Sequence, residues 1–350
     1  MSAGVSLRNV SKSFGSARAP ALCGVSLDVA AGSCTVILGP SGSGKSTILR
    51  VIAGLDAVSD GTVHVDGVDV AAVPSEQRGI GMVFQRPLLF PHLSVLDNVA
   101  FSQRVSGASR AESRRHAQHY LDLVQLGGFG GRSVQALSGG QEQRVAIARA
   151  LAAAPRVLLM DEPFSALDPA LREDMHELLC DIRNALSPTI ILVTHDRDEA
   201  AAIADRIAVI QAGTLLQHDT VDRIYHRPLS TGVSRLMGGL NEILGHVHAG
   251  MHVSPLGEVP VSPGTPDGPG TLVIRHEAIE VSRCTEEEPS ASGVVGHVSR
   301  VRQFGPRRMV TVSFADGSEM LAALPPGDAV QNGCRVVLTL PAAAVSVVPL

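Results

Sequence analysis

A glycine-rich segment at residues 39–47 carries the clearest chemistry in the sequence. It follows a short apolar strand candidate at residues 35–38 and matches the pattern G-x-x-x-x-G-K-[ST]. Glycines let backbone N–H groups surround phosphate oxygens, and the positive end of a following helix faces the same anions. Lys45 adds an ammonium for the β- and γ-phosphates of a nucleotide, and Ser46 adds a hydroxyl for Mg²⁺. The segment consists of Gly39, Pro40, Ser41, Gly42, Ser43, Gly44, Lys45, Ser46 and Thr47.

Lysine is scarce in this chain, which makes its position informative. The 29 lysines and arginines include only two lysines, Lys12 and Lys45. A compact ammonium enters between phosphate oxygens where a planar guanidinium fits poorly. Lys45 therefore stands where the predicted phosphate site requires an ammonium.

Two adjacent carboxylates end a second apolar strand candidate. Residues 157–160 are Val-Leu-Leu-Met, and Asp161 and Glu162 follow directly. Because side chains alternate along a strand, the two carboxylates point in different directions and can divide the work. We expect Asp161 to hold Mg²⁺, directly or through water, and Glu162 to act as the base or the orienting group for an attacking water.

A third motif begins another helix. A serine, two glycines and a glutamine precede a helix candidate at residues 142–153, which ends before Pro155. The serine is a plausible helix cap, and the glycines expose N–H groups at the helix start, so this is a second phosphate-directed helix end. One nucleotide has one γ-phosphate, so two binders far apart in sequence suggest that they act from two copies of the chain. The motif residues are Ser138, Gly139, Gly140 and Gln141.

Short apolar strands alternating with helices place these motifs on a common framework. Up to about residue 235 the pattern is that of a parallel sheet flanked by helices, with an inserted helical stretch at about residues 86–140. Ser109 followed by Glu112 predicts the start of one of the inserted helices. The strand candidates are residues 35–38, 81–84, 157–160, 190–194 and 207–210.

The last third of the chain has a different composition and a different apolar periodicity. Residues 248–270 are rich in proline and glycine and lack helical periodicity, and apolar residues then alternate with period two up to the turn signal Asp316-Gly317. The sequence of 350 residues is therefore predicted to form two domains, residues 1–235 and 236–350, the second a small antiparallel β domain.

Composition excludes several classes of protein. The net charge is −5 and no basic run exceeds two residues, which argues against binding nucleic acid through the whole surface. Five cysteines without a Cys-x-x-Cys pair support neither a disulfide framework nor a zinc knuckle. We find no secretory signal and no apolar run of membrane-spanning length, so we expect a cytoplasmic protein with any membrane role supplied by a partner.

Taken together, the motifs resemble the nucleotide-binding subunit of an ATP-binding cassette transporter over about residues 5–235. The run Leu-Ser-Gly-Gly-Gln after a phosphate loop is highly specific to that family. By position, Gln85 resembles the family's Q-loop glutamine, which touches Mg²⁺ and senses the γ-phosphate. Asp168 lies in a segment resembling the D-loop, and His195 resembles the switch histidine. Phe14 stands where the family usually has a tyrosine that stacks on adenine.

The β domain resembles, more weakly, the accessory domain of importer ATPases for metal ions, oxyanions, polyamines and sugars. The resemblance rests on residues 239–241 and 272–277, where Arg275-His276-Glu277 departs from the family's Arg-Pro-Glu. It implies an OB-like antiparallel β-barrel after the phosphate-loop α/β core. Two roles stay open for this domain, one as a scaffold or dimer contact and the other as a ligand site. The length of the tail favours the iron(III), polyamine and inorganic-anion branch, with a sugar importer as the alternative.

The resemblance also implies a mechanism and partners. Two copies would close around two ATP molecules, each held by residues 39–47 of one copy and residues 138–141 of the other. Hydrolysis would proceed through Glu162 and His195, with Lys45 at the phosphates, and Ser46, Gln85 and Asp161 would hold Mg²⁺. Two membrane-spanning permease subunits and an external solute-binding protein would complete the system.

The chain would therefore work as a peripheral ATPase on the cytoplasmic side of the membrane. Residues 86–97 expose unusual apolar area and are the candidate socket for a helix of a membrane subunit. A satellite core is the alternative role for this segment.

Two alternative functions of the whole protein are a soluble cassette ATPase acting on DNA or ribosomes and the ATPase of an exporter.

Overall fold

The computed structural model describes residues 2–15, 19–284, 293–305, 307–325 and 327–350. The chain divides into two compact units, the first ending at Val221. The strands of the first unit are β1 (Val5–Lys12), β2 (Leu22–Val29), β3 (Cys34–Leu38), β4 (Asp60–Val65), β5 (Val68–Asp69), β6 (Ile80–Val83), β7 (Val157–Asp161), β8 (Thr189–Thr194), β9 (Arg206–Gln211) and β10 (Thr214–Thr220). Its helices are α1 (Lys45–Ala53), α2 (Val95–Val99), α3 (Phe101–Val105), α4 (Arg110–Leu123), α5 (Gly139–Ala152), α6 (Pro169–Leu186) and α7 (Arg197–Ile203).

A six-stranded sheet in the order β10-β9-β3-β8-β7-β6 forms the centre of this unit. The pairs among β3, β6, β7, β8 and β9 are parallel, and only β10 joins antiparallel. Strands β3, β7 and β8 are buried almost throughout, which explains why they are nearly continuous apolar runs. All five predicted strands are confirmed to within two residues at each end.

The register of the parallel strands brings their carboxyl ends to one edge of the sheet. Leu38, the last residue of β3, lies opposite Thr194, the last residue of β8. Asp161, the last residue of β7, lies opposite Val193. Loops that follow parallel strands meet at this edge, where ligands of open α/β sheets bind. The phosphate loop, the acid pair and His195 all follow these strands.

A second sheet, antiparallel and ordered β2-β1-β4-β5, was not predicted from the sequence. Its buried residues alternate along the strands, as in Val5 and Leu7 of β1 and Val25 and Leu27 of β2. Alternation of this kind is typical of a sheet with one buried face. These residues share a core with Ile48 and Ile52 of α1, so the sheet supports the helix that follows the phosphate loop.

Helices α2, α3 and α4 lie between β6 and β7, in the stretch predicted to be helical. Ser109 caps α4, because its side chain accepts a hydrogen bond from the backbone N–H of Glu112. Among the described residues, no helix combines the length and the apolar character needed to cross a membrane.

The second unit is mostly antiparallel β structure. The helices of this unit are α8 (Val221–His226) and α9 (Thr231–Leu236), and its strands are β11 (Asn241–His248), β12 (Met251–Ser254), β13 (Gly257–Pro260), β14 (Gly268–Ile274), β15 (Glu280–Arg283), β16 (Val294–Phe304), β17 (Arg307–Ser313), β18 (Glu319–Leu324), β19 (Arg335–Thr339) and β20 (Val345–Pro349). Two five-stranded sheets, ordered β13-β12-β11-β14-β20 and β15-β19-β16-β17-β18, contribute to one hydrophobic core. The predicted hairpin around Asp316-Gly317 is confirmed as the pair β17–β18.

The units divide at residues 221/222, whereas the sequence analysis placed the boundary after residue 235. The difference is the pair of short helices α8 and α9. Arg275, which follows β14, donates a hydrogen bond of 2.7 Å to the carbonyl of Met237 just after α9. Its guanidinium also lies 4.0 Å from the ring centroid of Tyr225 in α8. Both helices therefore contact the β structure that follows them, through the side chain of Arg275, which is distant in sequence.

Candidate active site

The phosphate loop connects β3 to α1 and its shape requires glycine. Gly44 has a φ of 100°, and a Cβ at this position would lie 2.5 Å from the carbonyl oxygen of Ala21. No side chain caps the start of α1, so the backbone N–H groups of its first turn are available to an anion. The hydroxyl of Ser43 is buried and has no hydrogen-bond partner within the described ranges. The loop thus presents several donors that a phosphate would satisfy.

Lys45 is held at the base of this loop. Its Nζ donates to the carbonyl oxygens of Gly39 and Pro40, at 2.9 and 3.0 Å, and lies 3.9 Å from Glu162 Oε1. The residue is only 5% exposed. Burial lowers the pKa of Lys45, and the nearby carboxylates of Glu162 and Asp161 offset only part of this lowering. The ammonium is therefore positioned by backbone oxygens and faces the acid pair.

Ser46 and Asp161 form the part of the site that suits a divalent cation. The hydroxyl of Ser46 donates a hydrogen bond of 2.8 Å to Asp161 Oδ1. Burial raises the pKa of Asp161, and the hydrogen bond from Ser46 opposes that rise. A hydroxyl and a carboxylate are hard oxygen ligands, and Mg²⁺ usually takes one or two such groups together with phosphates and water. The donor set therefore fits Mg²⁺.

Gln85, the third predicted metal contact, follows β6 at the same edge of the sheet. Its Nε2 donates a hydrogen bond of 3.2 Å to the hydroxyl of Ser165. That hydroxyl donates in turn to the carbonyl of Glu162, at 3.0 Å. In this structure Gln85 is therefore connected to the acid pair through Ser165.

Glu162 occupies a strained position between two predicted site residues. Its φ is 44°, in the left-handed region that costs a non-glycine residue about 1–3 kcal/mol. The backbone N–H donates to the carbonyl of Val193 at 3.0 Å, which holds this conformation. One carboxylate oxygen faces Lys45, and the other lies 3.2 Å from Nδ1 of His195. The structure thus brings together Lys45, Glu162 and His195, three of the candidate site residues.

The loop that carries His195 is anchored by polar residues around it. Thr194 Oγ1 donates to Glu199 Oε2 at 3.1 Å and accepts from the backbone N–H of Asp196 at 3.0 Å. Asp196 Oδ1 caps α7 by accepting from the N–H groups of Asp198 and Glu199. Glu199 was not predicted from the sequence, although Asp-x-x-Glu before an alanine-rich run is a helix-start signal.

The segment after Glu162 is fixed by another cap. Asp168, predicted to contribute to the nucleotide site, accepts a hydrogen bond of 3.0 Å from the N–H of Leu171 and so caps α6. Arg172 in the first turn of α6 was also missed by the sequence analysis. Its guanidinium donates to both Leu167 and Asp196, which lie on different loops. No sequence spacing indicates this contact.

The predicted second phosphate-directed helix is α5. Ser138 and Gln141 form a reciprocal capping box, with hydrogen bonds of 3.1 and 3.4 Å. A Cβ added to Gly139 would meet nothing within 4 Å, so this end of the helix is open. Throughout the described residues, no hydrogen bond or ion pair joins residues 138–141 to residues 39–47.

Phe14 presents a partly exposed ring. The ring is 46% exposed, and Nζ of Lys12 lies 4.8 Å from its centroid. Lys12 Nζ also donates to the carbonyl of Ala57 at 2.7 Å. A planar base can stack on an exposed aromatic face of this kind.

A pocket of about 240 Å³ links the phosphate loop to Glu162. Its lining residues are Ala21, Ser41, Gly42, Gly44, Lys45, Ser46, Thr47 and Glu162.

Comparison with known proteins finds two family models on this chain. The ABC transporter model matches residues 22–165, and the TOBE domain model matches residues 272–348. An Fe(3+) ions import ATP-binding protein of Streptomyces avermitilis is 44% identical over 263 residues, which cover 75% of this chain and 76% of that protein. A spermidine/putrescine import ATP-binding protein of Nitrosospira multiformis is 38% identical and covers 91% of this chain and 90% of its own length. A sulfate/thiosulfate import ATP-binding protein of Agrobacterium fabrum is 38% identical, with 95% of each chain covered.

Solved structures also resemble part of this chain. The dimeric ATP-binding cassette MJ0796, bound to ADP and phosphate, matches 62% of this chain and 98% of its own, with a TM-score of 0.57 and 35% identity. The cassette cbiO1 of Clostridium perfringens, part of the cbiONQ transporter complex, matches 66% of this chain and 92% of its own, with a TM-score of 0.60 and 28% identity.

The buried carboxyl beside His195 leads to a prediction on pH and stability. Burial raises the pKa of Glu199 to about 7 from 4.5, helped by Asp196 and opposed by the hydrogen bond from Thr194. The protonated group therefore favours the folded state below pH 4.5, and this contribution is lost as the pH rises through 7. Glu199→Gln is neutral at every pH. We therefore expect its free energy of unfolding to rise relative to wild type as the pH increases from 4.5, by about 3 kcal/mol at pH 8. Denaturant unfolding at several pH values measures the difference, and parallel stability curves for the two proteins would contradict the prediction.

Proposed function

Because this chain belongs to the ABC transporter family and is an ATPase that energises solute import, we propose that the pocket of residues 39–47 binds the phosphates of ATP for hydrolysis at Glu162. The observation that carries the proposal is the position of Glu162, which lies at the pocket with Lys45 on one side and His195 on the other. A water molecule attacking the γ-phosphate needs a proton acceptor at this position.

Each side chain then has a distinct task. Glu162 would accept a proton from water or orient the water for attack, and His195 would steady the glutamate through the contact at its Nδ1. Lys45, now bound to backbone carbonyls, would donate to phosphate oxygens instead. Ser46 and Asp161, with Gln85, would hold Mg²⁺, which when bound neutralises charge on the β- and γ-phosphates. Phe14 would stack on adenine.

The open end of α5 supports a nucleotide shared between two copies. The capping box uses the backbone N–H groups of Ser138 and Gln141 and leaves those of Gly139 and Gly140 at the start of α5, where such groups attract a phosphate. We propose that each copy applies this helix end to the ATP bound by residues 39–47 of the other. A contact made only when the γ-phosphate is present favours the closed dimer, because differential binding shifts the equilibrium. The related cassette MJ0796 is dimeric in its solved structure.

The docking surface for the membrane subunits is proposed at residues 86–97, next to the site. Arg149 holds this segment by donating to the carbonyls of Leu88 and Pro87 at 2.9 and 3.1 Å. The side-chain amide of Asn98 also holds this segment, accepting from the backbone N–H of Phe90 and donating to its carbonyl. Leu88 remains 61% exposed on this fixed support. An exposed apolar side chain on a rigid segment is suited to bind a helix of a partner.

The solute is proposed to belong to the classes of the relatives' names: iron(III), a polyamine or an inorganic anion such as sulfate. Two membrane-spanning permease subunits and an external binding protein would choose among them. The chain would work at the cytoplasmic face of the membrane, where ATP is available. Its C-terminal unit, which matches the TOBE domain model, would serve as a dimer contact or as a sensor of the system.

Glu162→Gln tests the assignment of the base. The substitution keeps the shape of the side chain and removes the proton acceptor, so ATP binding should persist while turnover falls by about 10² to 10⁴. Phosphate release by the purified full-length protein measures turnover, and fluorescent ATP binding measures affinity. Glu173→Gln, which alters an exposed carboxylate on α6, is the control and should hydrolyse ATP at the wild-type rate. Wild-type activity in Glu162→Gln would remove Glu162 from the mechanism.

The shared-nucleotide arrangement predicts an ATP-dependent dimer. With hydrolysis blocked by Glu162→Gln, saturating ATP should give a dimer in sedimentation, and adding Ser138→Arg should return the protein to monomer by filling the phosphate position at α5. The matched control is Ser109→Arg, which removes a similar cap from α4 at a cost of about 1 kcal/mol and should leave the dimer intact. A Glu162→Gln protein that stays monomeric at saturating ATP would refute the arrangement.

The docking segment predicts a defect limited to assembly. Leu88→Glu places a charge on the proposed apolar contact and should reduce co-purification with the membrane subunits at least tenfold, a loss of about 1.4 kcal/mol. Val105→Glu, at an apolar residue of α3 that is 71% exposed, is the control. Equal loss for both variants would indicate a general effect of charge and would argue against a docking role for residues 86–97.

A further inference from the structure

Arg172 joins the two loops that follow β7 and β8. Its Nη1 donates a hydrogen bond of 2.9 Å to Asp196 Oδ2, and its Nη2 donates one of 3.4 Å to the carbonyl of Leu167. The pair with Asp196 is half-buried, with side-chain exposures of 29% and 30%. A charge-assisted hydrogen bond from a planar guanidinium fixes direction as well as distance.

The same two loops carry the residues proposed to act on water. Glu162 lies at the start of the loop that reaches Leu167, and His195 directly precedes Asp196. Glu162 and His195 are in contact, with 3.2 Å between Oε2 and Nδ1. The loops are therefore joined twice, once by the reacting side chains and once by Arg172.

Asp196 transmits the position of Arg172 to the backbone near His195. Its Oδ1 accepts hydrogen bonds from the N–H groups of Asp198 and Glu199, at 2.9 and 3.2 Å, while Oδ2 is used by Arg172. One rigid carboxylate thus connects the guanidinium to the first turn of α7. A shift of Arg172 would move the segment from which His195 projects.

We propose that Arg172 is a positioning residue that, through Asp196 and Leu167, sets His195 against Glu162 for ATP hydrolysis. The inference rests on the proposed function of Glu162 and His195. Arg172 lines no part of the phosphate pocket described above, so its loss should affect the rate of the chemical step and leave nucleotide binding intact.

The chain offers a matched control on the same helix. Arg183 of α6 also donates to one carbonyl and one carboxylate, Ile203 at 2.8 Å and Asp205 at 2.6 Å. Arg183 therefore connects α6 to the C-terminal end of α7, whereas Arg172 connects α6 to the N-terminal end of α7. A purely structural clamp between the two helices would be weakened equally by either substitution.

The test compares Arg172→Met, Asp196→Asn, their double variant and Arg183→Met in full-length protein. Asp196→Asn keeps the cap oxygen and replaces the acceptor of Arg172 by a donor. We expect Arg172→Met and Asp196→Asn each to lower kcat by about 2- to 30-fold with KM for ATP unchanged. The double variant should be no slower than the slower single one, because both break one contact. Arg183→Met should keep the wild-type kcat.

The outcomes separate this inference from the proposed function. Equal losses of kcat in Arg172→Met and Arg183→Met, a rise in KM alone, or multiplicative losses in the double variant would overturn the positioning role. If instead wild type lacks ATPase activity, or Glu162→Gln matches it, the proposed function itself fails. Melting temperatures of all four variants show whether any loss of rate follows a loss of folded protein.

Discussion

The parallel register of β3, β7 and β8 is the constraint on which the site depends. It aligns Leu38 with Thr194 and Asp161 with Val193, so three loops leave the sheet at one edge. A shift of one residue would turn the side chains of a strand to the opposite faces of the sheet and would separate Lys45 from Glu162. Burial of both faces of these strands makes such a shift costly, because nearly every position is buried and most are apolar. The catalytic geometry is in this sense a consequence of core packing.

Compensation of charge shapes the site that this edge creates. The ammonium of Lys45 is buried among backbone carbonyls and faces Glu162, while Asp161 is stabilised by the hydroxyl of Ser46. Each charged group has a partner in the protein that phosphate or Mg²⁺ can replace. The unusual backbone of Glu162 is maintained by its hydrogen bond to β8, so the strain is supported by the same sheet. Around this centre, caps at α6 and α7 hold the loops in place.

Much of this arrangement could be predicted from residue types and spacing. Lys45, Asp161, Glu162 and His195 were predicted as site residues, and the structure places them together. The strands that position them were predicted from apolar runs. The first antiparallel sheet was missed, because register shifts along β1 interrupt the alternation of buried residues on which a strand prediction depends. The two short helices at residues 221–236 were assigned to the first domain, because their attachment to Arg275 and its neighbours joins residues that are distant in sequence.

Residue types and local spacing are enough to specify the chemistry, because a phosphate loop, a strand-ending acid pair and a glycine-rich helix start each need particular residues at fixed positions. The sequence also specifies that the chain has an α/β part and a β part, through the periods of its apolar residues. Other features depend on the folded chain: which loops meet, the link from Gln85 to the acid pair through Ser165, and the contact between Arg172 and Asp196. These contacts join residues on separate elements, and no local pattern encodes them. Their geometry exists only once the parallel strands have paired.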